Sequence, residues 1–194
     1  GLANEAITLD DTSLAVATLN TLNGNTTGVV NAATVTTLTG AAATMNTVYT
    51  ANTDGEISGL ANEAITLDDT TLAATVLNTL DGNTTGVVNA ATVTVLTGAA
   101  GDVITSYTAD GNGTISGLGN EKLTLSGNTS VANANTLAGE TSGVITATIT
   151  EGDITTLKTL NETTNAYTIT ITDATVAVAD LNTINGATTV AVTA

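Results

Sequence analysis

Short runs of alternating apolar and polar residues recur along the chain, each followed by a polar gap and one more apolar position. The pattern apolar-x-apolar-x-x-x-x-apolar stands at Ile7/Leu9/Leu14, Ile65/Leu67/Leu72 and Ile169/Ile171/Val176. Weaker copies start at Val30 and Val88, with Val35 and Val93 five residues on, and others centre on Leu125 and Ile149. The last is Val190-Ala191-Val192. Alternation over a few residues marks a half-buried strand. Leu9, Val30, Leu67, Val88, Leu125, Ile149, Ile171 and Val192 serve as anchors, and their numbering advances by 21, 37, 21, 37, 24, 22 and 21. The natural period is therefore about 21–24 residues, and two steps carry about 15 more. A period of this size belongs to solenoids with one strand and a short helix or turn per coil.

Helix signals follow the strands. In the second copy Asp69 or Thr70 is placed to cap a helix start, its side-chain oxygen accepting from a free N–H. Leu72, Val76 and Leu80 then share one face, and Asp81-Gly82 supplies a stop. The first copy repeats this with Leu14, Leu22 and Asn23-Gly24. A second helix is predicted after Thr39 and Thr97, with Val103 and Tyr107 on one face. Near the end, Thr150-Glu151-Gly152-Asp153 reads as a capping box with Asp in place of Glu, ahead of Ile154, Leu157 and Leu160. The predicted fold is an α/β solenoid of about eight coils of about 21–24 residues, one short parallel strand plus a short helix or turn per coil. The alternative is an all-β solenoid.

A longer repeat overlies this one. GLANEAITLDD begins at Gly1 and again at Gly59, and GLGNEKLTLSG begins at Gly117. Units 1–58 and 59–116 match at 43 of 58 positions. A divergent unit, 117–168, and a partial one, 169–194, complete a single array over residues 1–194. The strings LNTLDGNTTGVVNAATVTVLTGAA, ISGLGNE and TSGVITATITEGDITTL resemble the Thr/Ala/Asn-rich arrays of very large extracellular or cell-surface proteins of marine cyanobacteria. The resemblance runs over the whole chain. It implies a structural, surface or adhesive role and carries no catalytic motif.

Composition narrows the function classes. The 194 residues hold 47 Thr and 30 Ala, three Tyr, and no Cys, His, Pro, Trp, Phe or Arg. Thiol chemistry and His-based acid–base work are excluded. Lys122 and Lys158 are the only cations against 18 acids, for a net charge of −16. Nucleic acid needs cations to neutralise phosphate, so it is not an expected partner. Charged residues make up only 10 %, and mean hydropathy is +0.30, which favours an ordered chain over a disordered one. No uninterrupted apolar window of 18 residues exists, so no membrane insertion is expected.

The best candidate chemistry lies in the longer steps. Asn52-x-Asp54-Gly55-x-Ile57 and Asp110-x-Asn112-Gly113-x-Ile115 resemble the middle of a calcium loop, with oxygens at alternate positions and a Gly at the turn. Asn52, Asp54, Asp110 and Asn112 are thus candidate ligands for calcium, at weak affinity. The match is partial: the first position is Thr50 or Thr108, and Glu63 or Glu121 falls two residues late for the bidentate acid. The competing reading is a plain Gly/Asn/Asp turn. The pairs Asp10-Asp11 and Asp68-Asp69 read as caps of the next helix, and Tyr49, Tyr107 and Tyr167 as packing positions with surface hydroxyls. Thr-x-Thr, which a flat ice-binding face needs on every coil, occurs irregularly.

No catalytic residue is expected, and the chain is not read as an enzyme. Both ends read as the interior of a repeat. The expected function is a structural segment of an extracellular fibre, sheath or surface layer that assembles end to end, as a homopolymer or in a longer chain. The alternative is a calcium-dependent adhesin spacer or binding module.

Overall fold

The computed structural model describes residues 2–193; the array's outermost residues, Gly1 and Ala194, lie outside them. It is an α/β structure of parallel strands in three sheets with seven helices among the described residues. In chain order, β1 (Ile7–Thr8), β2 (Ser13–Ala15) and α1 (Val16–Asn25) are followed by β3 (Val30–Asn31), β4 (Thr37–Gly40) and α2 (Ala42–Asp54). Next come β5 (Ile57–Ser58), β6 (Ala64–Leu67), β7 (Thr71–Ala73) and α3 (Ala74–Asn83). Then come β8 (Val88–Asn89), β9 (Val95–Gly98), α4 (Ala100–Asn112), β10 (Ile115–Ser116), β11 (Lys122–Thr129) and α5 (Val131–Glu140). The last part holds β12 (Ile145–Ile149), α6 (Ile154–Leu157), β13 (Ala166–Thr168) and α7 (Val178–Gly186).

Every strand pair is parallel. The sheets run β1-β3-β5, β2-β4-β6-β8-β10 and β7-β9-β11-β12-β13. The ladder step is short at Thr146↔Ala166 and long at Val30↔Ile57. A bridge from Thr170 to Thr193 extends the series. The step thus varies more than the sequence period implies. The long steps are not insertions in a loop: they contain α2 and α4, and the strands β5 and β10 that follow pair through Ile57↔Val30 and Ile115↔Val88.

The long repeat does not close on whole ladder steps. Ile7, Val30 and Ile57 stack in the first sheet, while their repeat equivalents Ile65, Val88 and Ile115 stack in the second. Leu14, Leu38 and Ile65 share the second sheet, and Leu72, Leu96 and Leu123 the third. Two ladder steps carry the chain only from Ile7 to Ile57, short of Ile65 where the repeat begins again. Each repeat therefore overshoots by one strand and advances to the next sheet.

One face of each sheet is dry. In β12, Ile145, Ala147 and Ile149 are buried and Thr146 and Thr148 exposed, the period-2 alternation of a strand with one solvated face. Of the anchor positions, Val30, Val35, Ile65, Leu67, Leu72, Val88, Val93, Leu125, Ile149 and Ile171 are buried. Ile7, Leu9, Leu14 and Val176, all near the chain's ends, are half-buried.

The helices depart from expectation in their faces and ends. Leu72 belongs to β7, and α3 buries Ala74, Leu77 and Leu80, every third residue. Gly82 lies inside α3, which runs to Asn83 and is capped by extended Thr84. Left-handed glycines instead close α2 (Gly55, φ 83°) and α4 (Gly113, φ 81°), where the missing Cβ makes that conformation cheap. Asp69 does not cap α3, whose N-cap is Ala73. Its Oδ2 accepts from Ala42 N at the start of α2, at 2.8 Å. Glu151 does the same for Val131 of α5 (3.0 Å) and Asp173 for Ile154 of α6 (2.7 Å). Free N–H groups at a helix start need an acceptor, and the segment one ladder step later supplies it. The Thr150–Asp153 capping box is likewise replaced: Asp153 is itself the N-cap of α6, accepting from Thr156 N at 2.8 Å. That bond holds the Asp153 carboxyl below its usual range.

Candidate functional site

The predicted calcium residues sit at helix ends. Asn52 and Asp54 are in the last turn of α2, and Asp110 and Asn112 in that of α4. Alternate positions on a helix point in different directions, so they do not converge as in an extended loop. Asn52 already pairs with the Leu60 backbone, accepting from its N–H (3.1 Å) and donating to its carbonyl (3.2 Å). Asp110 Oδ1 accepts from Leu118 N at 3.2 Å. No group of three or more acids gathers anywhere among the described residues. The segment forms a helix C-cap closed by Gly55 in α2 and Gly113 in α4.

The structure buries two carboxylates instead. Glu63 and Glu121 are fully buried. Tyr49 donates its hydroxyl to Glu63 Oε2 at 2.7 Å, and Tyr107 donates to Glu121 Oε2 at 2.8 Å. Ala61 N donates to both oxygens of Glu63 (3.1 Å each), and Gly119 N to Glu121 Oε2 (2.8 Å). Glu121 Oε1 has no protein partner. Burial, then the hydrogen bond to the acid, push the Tyr49 and Tyr107 phenols well above the usual value. The tyrosine hydroxyls are therefore buried acid partners, not surface groups as expected.

A Thr-Thr/Ser-Gly turn holds each acid from the far side. Thr84 donates to the Glu63 carbonyl (2.9 Å) and accepts from Gly86 N (3.0 Å); Thr141 does so with Glu121 (2.7 Å) and Gly143 (3.0 Å). A Cβ on Gly86 or Gly143 would overlap the backbone carbonyl of Glu63 or Glu121, so the close approach requires glycine. Thr26 and Gly28 hold Glu5 in the same way, but Glu5 is exposed. Near the end, Tyr167 itself stands at the acid's place: Thr188 donates to its carbonyl (2.7 Å), and its hydroxyl accepts from buried Asn165 at 3.0 Å. The signal in the sequence was the constant Tyr-to-Glu spacing, repeated at 49/63 and 107/121. Being fully buried, these groups cannot meet a substrate; they clamp neighbouring segments together.

Two surfaces remain open. At one end, α1 presents a groove lined by Ala17, Thr18, Thr21, Leu22 and Asn25. At the other, α7 exposes Val178 (75 %) and Leu181 (36 %). Laterally, Thr146, Thr148 and Thr150 lie on one strand's outer side and Thr168, Thr170 and Thr172 on the next, Thr148 opposite Thr168. The Thr146 row continues through Thr124 and Thr97, but Ala73 and Ala166 bound it and Asn128 stands opposite Thr148, so no unbroken Thr face forms. Lys158 Nζ and Asp180 make an ion pair at 2.9 Å, half in solvent. No helix among the described residues is long and apolar enough to cross a membrane. No family model, curated protein or solved structure matches the chain.

Proposed function

We propose that the chain is a non-enzymatic structural segment of an extracellular fibre, sheath or surface layer, wound as an α/β solenoid and continued end to end. One observation carries this reading. Every strand pair is parallel, and successive segments stack in register, as Leu38, Ile65 and Val88 do in the second sheet. Ile65, Leu67 and Leu72 are buried to 6 % exposure or less, while their equivalents Ile7, Leu9 and Leu14 are half-buried. Unpaired strand edges beside half-buried apolar positions are a template for further pairing. A contact between unlike ends builds an open filament. With strands about 4.8 Å apart, eight coils span only about 38 Å, so a fibre requires many such segments in series. The charge of −16 opposes lateral clumping and is screened over about 8 Å in physiological salt.

The test is electron microscopy with light scattering across a salt and concentration series. Rods that lengthen with concentration at marine salt are expected, and Val190→Asp or Val192→Asp should shorten them. Monomers at every salt concentration would overturn the reading.

A further inference from the structure

We infer that the cleft between the last turn of α5 and the segment before β13 binds a protonated primary amine, with Glu162 as the charged acceptor. The inference goes beyond the fibre reading and does not depend on it.

The cleft owes its existence to the shortness of α6. Helices α1, α3 and α5 run for 10 residues each, but α6 has only 4 and stops at Leu157. The irregular stretch from Lys158 to Asn165 then lies against α5. Asn135 of α5 holds it there, donating to the Thr159 carbonyl (2.7 Å) and accepting from Asn161 N (3.1 Å). The cleft measures about 270 Å³, with Ala138, Thr141 and Ser142 on one side and Glu162, Thr164 and Asn165 on the other. Thr141 and Asn165 are buried and fixed. The Thr141 hydroxyl bonds the Glu121 carbonyl and Gly143 N, while Asn165 accepts from Ile145 N (2.8 Å) and donates to the Tyr167 hydroxyl.

The repeat shows which partner the rim acid takes. The same turn occurs as Thr26-Thr27-Gly28 after α1, where it lines a cleft of about 320 Å³ together with Asn23 and Glu56. There Asn23 Nδ2 donates to Glu56 Oε2 at 3.0 Å. Three residues before the turn at Thr141, the place of Asn23 is held by Ala138, whose methyl donates nothing. No cation of the chain replaces it. Among the described residues the one ion pair joins Lys158 to Asp180, and the other lysine, Lys122, is on β11.

Electrostatics select a charged donor. The negative pole of α5 ends at this cleft, beside a carboxylate, on a chain of net charge −16. Burial is the main cause raising the Tyr167 phenol; the Asn165 bond lowers it, and the charge of Glu162 raises it. That charge therefore reaches the cleft floor. Calcium takes six to eight oxygens, and no group of three acids gathers among the described residues to anchor it. An ammonium carries three donors and no acceptor, which suits one carboxylate, the Thr164 hydroxyl and the carbonyls that end α5. The Ser142 and Thr164 hydroxyls beside them suit a sugar ring, and the volume suits a single unit. An amino sugar is the fitting carrier.

The experiment titrates glucosamine, N-acetylglucosamine and putrescine into the full chain, labelled with nitrogen-15, and follows the amide signals of Thr141, Ser142, Gly143 and Asn165. Glucosamine should shift them with millimolar affinity. N-acetylglucosamine, which keeps the ring and loses the charge, should leave them in place. Putrescine, an amine without a ring, should bind more weakly; equal binding would keep the ammonium and remove the sugar from the assignment. Glu162→Gln should weaken glucosamine about tenfold or more, because a bond to a charged acceptor is lost. Ala138→Asn, which supplies the internal donor seen at Asn23, should weaken it too. Glu162 is exposed and Ala138 half-buried, so circular dichroism of both variants should match the parent. Asp10→Asn, an exposed acid elsewhere, should change nothing. The inference falls if N-acetylglucosamine binds as well as glucosamine, if Glu162→Gln binds as tightly as the parent, or if none of these amides moves.

Discussion

Replacing Tyr49 by Phe removes one oxygen from the interior and nothing else. The ring keeps its shape, so no cavity opens. The loss is the 2.7 Å hydrogen bond to the Glu63 carboxylate, which is fully buried. A bond to a charged acceptor contributes about 1.5–3 kcal/mol. Glu63 then keeps only the Ala61 N–H, shared between its two oxygens at 3.1 Å. For a chain of this size about 1 kcal/mol moves Tm by about 2–4 °C, so the expected fall is about 3–12 °C. In a Glu63→Gln background the acceptor is neutral and the same change should cost about 0.5–1.5 kcal/mol. The difference is the coupling between the two side chains. Tyr107→Phe should cost at least as much as Tyr49→Phe, because Glu121 Oε1 already lacks a protein partner and only Gly119 N would remain on the carboxylate. Urea unfolding followed by circular dichroism measures all four variants. A Tyr49→Phe protein within about 0.5 kcal/mol of the parent, or an equal cost in both backgrounds, would refute the clamp.

Alkaline stability should follow the three phenols. Burial is the largest cause lifting each above the usual value, with Tyr167 pushed up to about 12. Unfolded tyrosines lose protons from about pH 10 and the folded ones do not, so stability is full below pH 10 and falls as pH climbs toward the folded values, by up to about 4 kcal/mol per pH unit for three groups; native tyrosinate absorbance rising at pH 10 would contradict this. Gly86→Ala forces a Cβ into the Glu63 carbonyl and should cost about 1–3 kcal/mol, whereas Gly82→Ala, inside α3 with open space around it, should gain about 0.5–1 kcal/mol; chemical denaturation of the pair checks the contrast. Millimolar calcium should leave Tm unmoved, since Asn52 and Asp110 already accept backbone N–H groups; a Tm that rises with the logarithm of calcium concentration would support the metal reading.

The period-2 runs made the strands legible. Ile65, Leu67, Val88 and Ile149 were read as inward positions because alternation alone assigns a face, and all four are buried. The helices after Thr39 and Thr97 were legible for a similar reason: Val103 and Tyr107 stand one helical turn apart and share the buried side of α4. Ladder partners were not legible. Ile57 lay in what looked like extra loop, yet it pairs with Val30, because a residue between a helix and a turn carries no mark of which earlier segment it will lie beside. The caps failed in the same way. Asp69 was assigned to the helix that follows, but β7 lies between them, and Ala42 N, a full ladder step earlier in the chain, is what it meets in space.

The acid–tyrosine clamp divides along the same line. Sequence alone determined that Tyr and Glu recur together with the long repeat, since spacing is a property of the chain. It also determined the parallel α/β class, because one strand signal and one helix signal per short period leave little else. Only the tertiary structure decided that the carboxylates go inside. Glu5, Glu63 and Glu121 occupy equivalent places near the three GLxNE strings, yet Glu5 is exposed and the other two are fully buried. The difference is what arrives beside them: Glu63 and Glu121 each receive a tyrosine from the preceding helix, and among the described residues no helix precedes Glu5. Burial is a property of neighbours, and neighbours are set by how far the chain travels before it comes back.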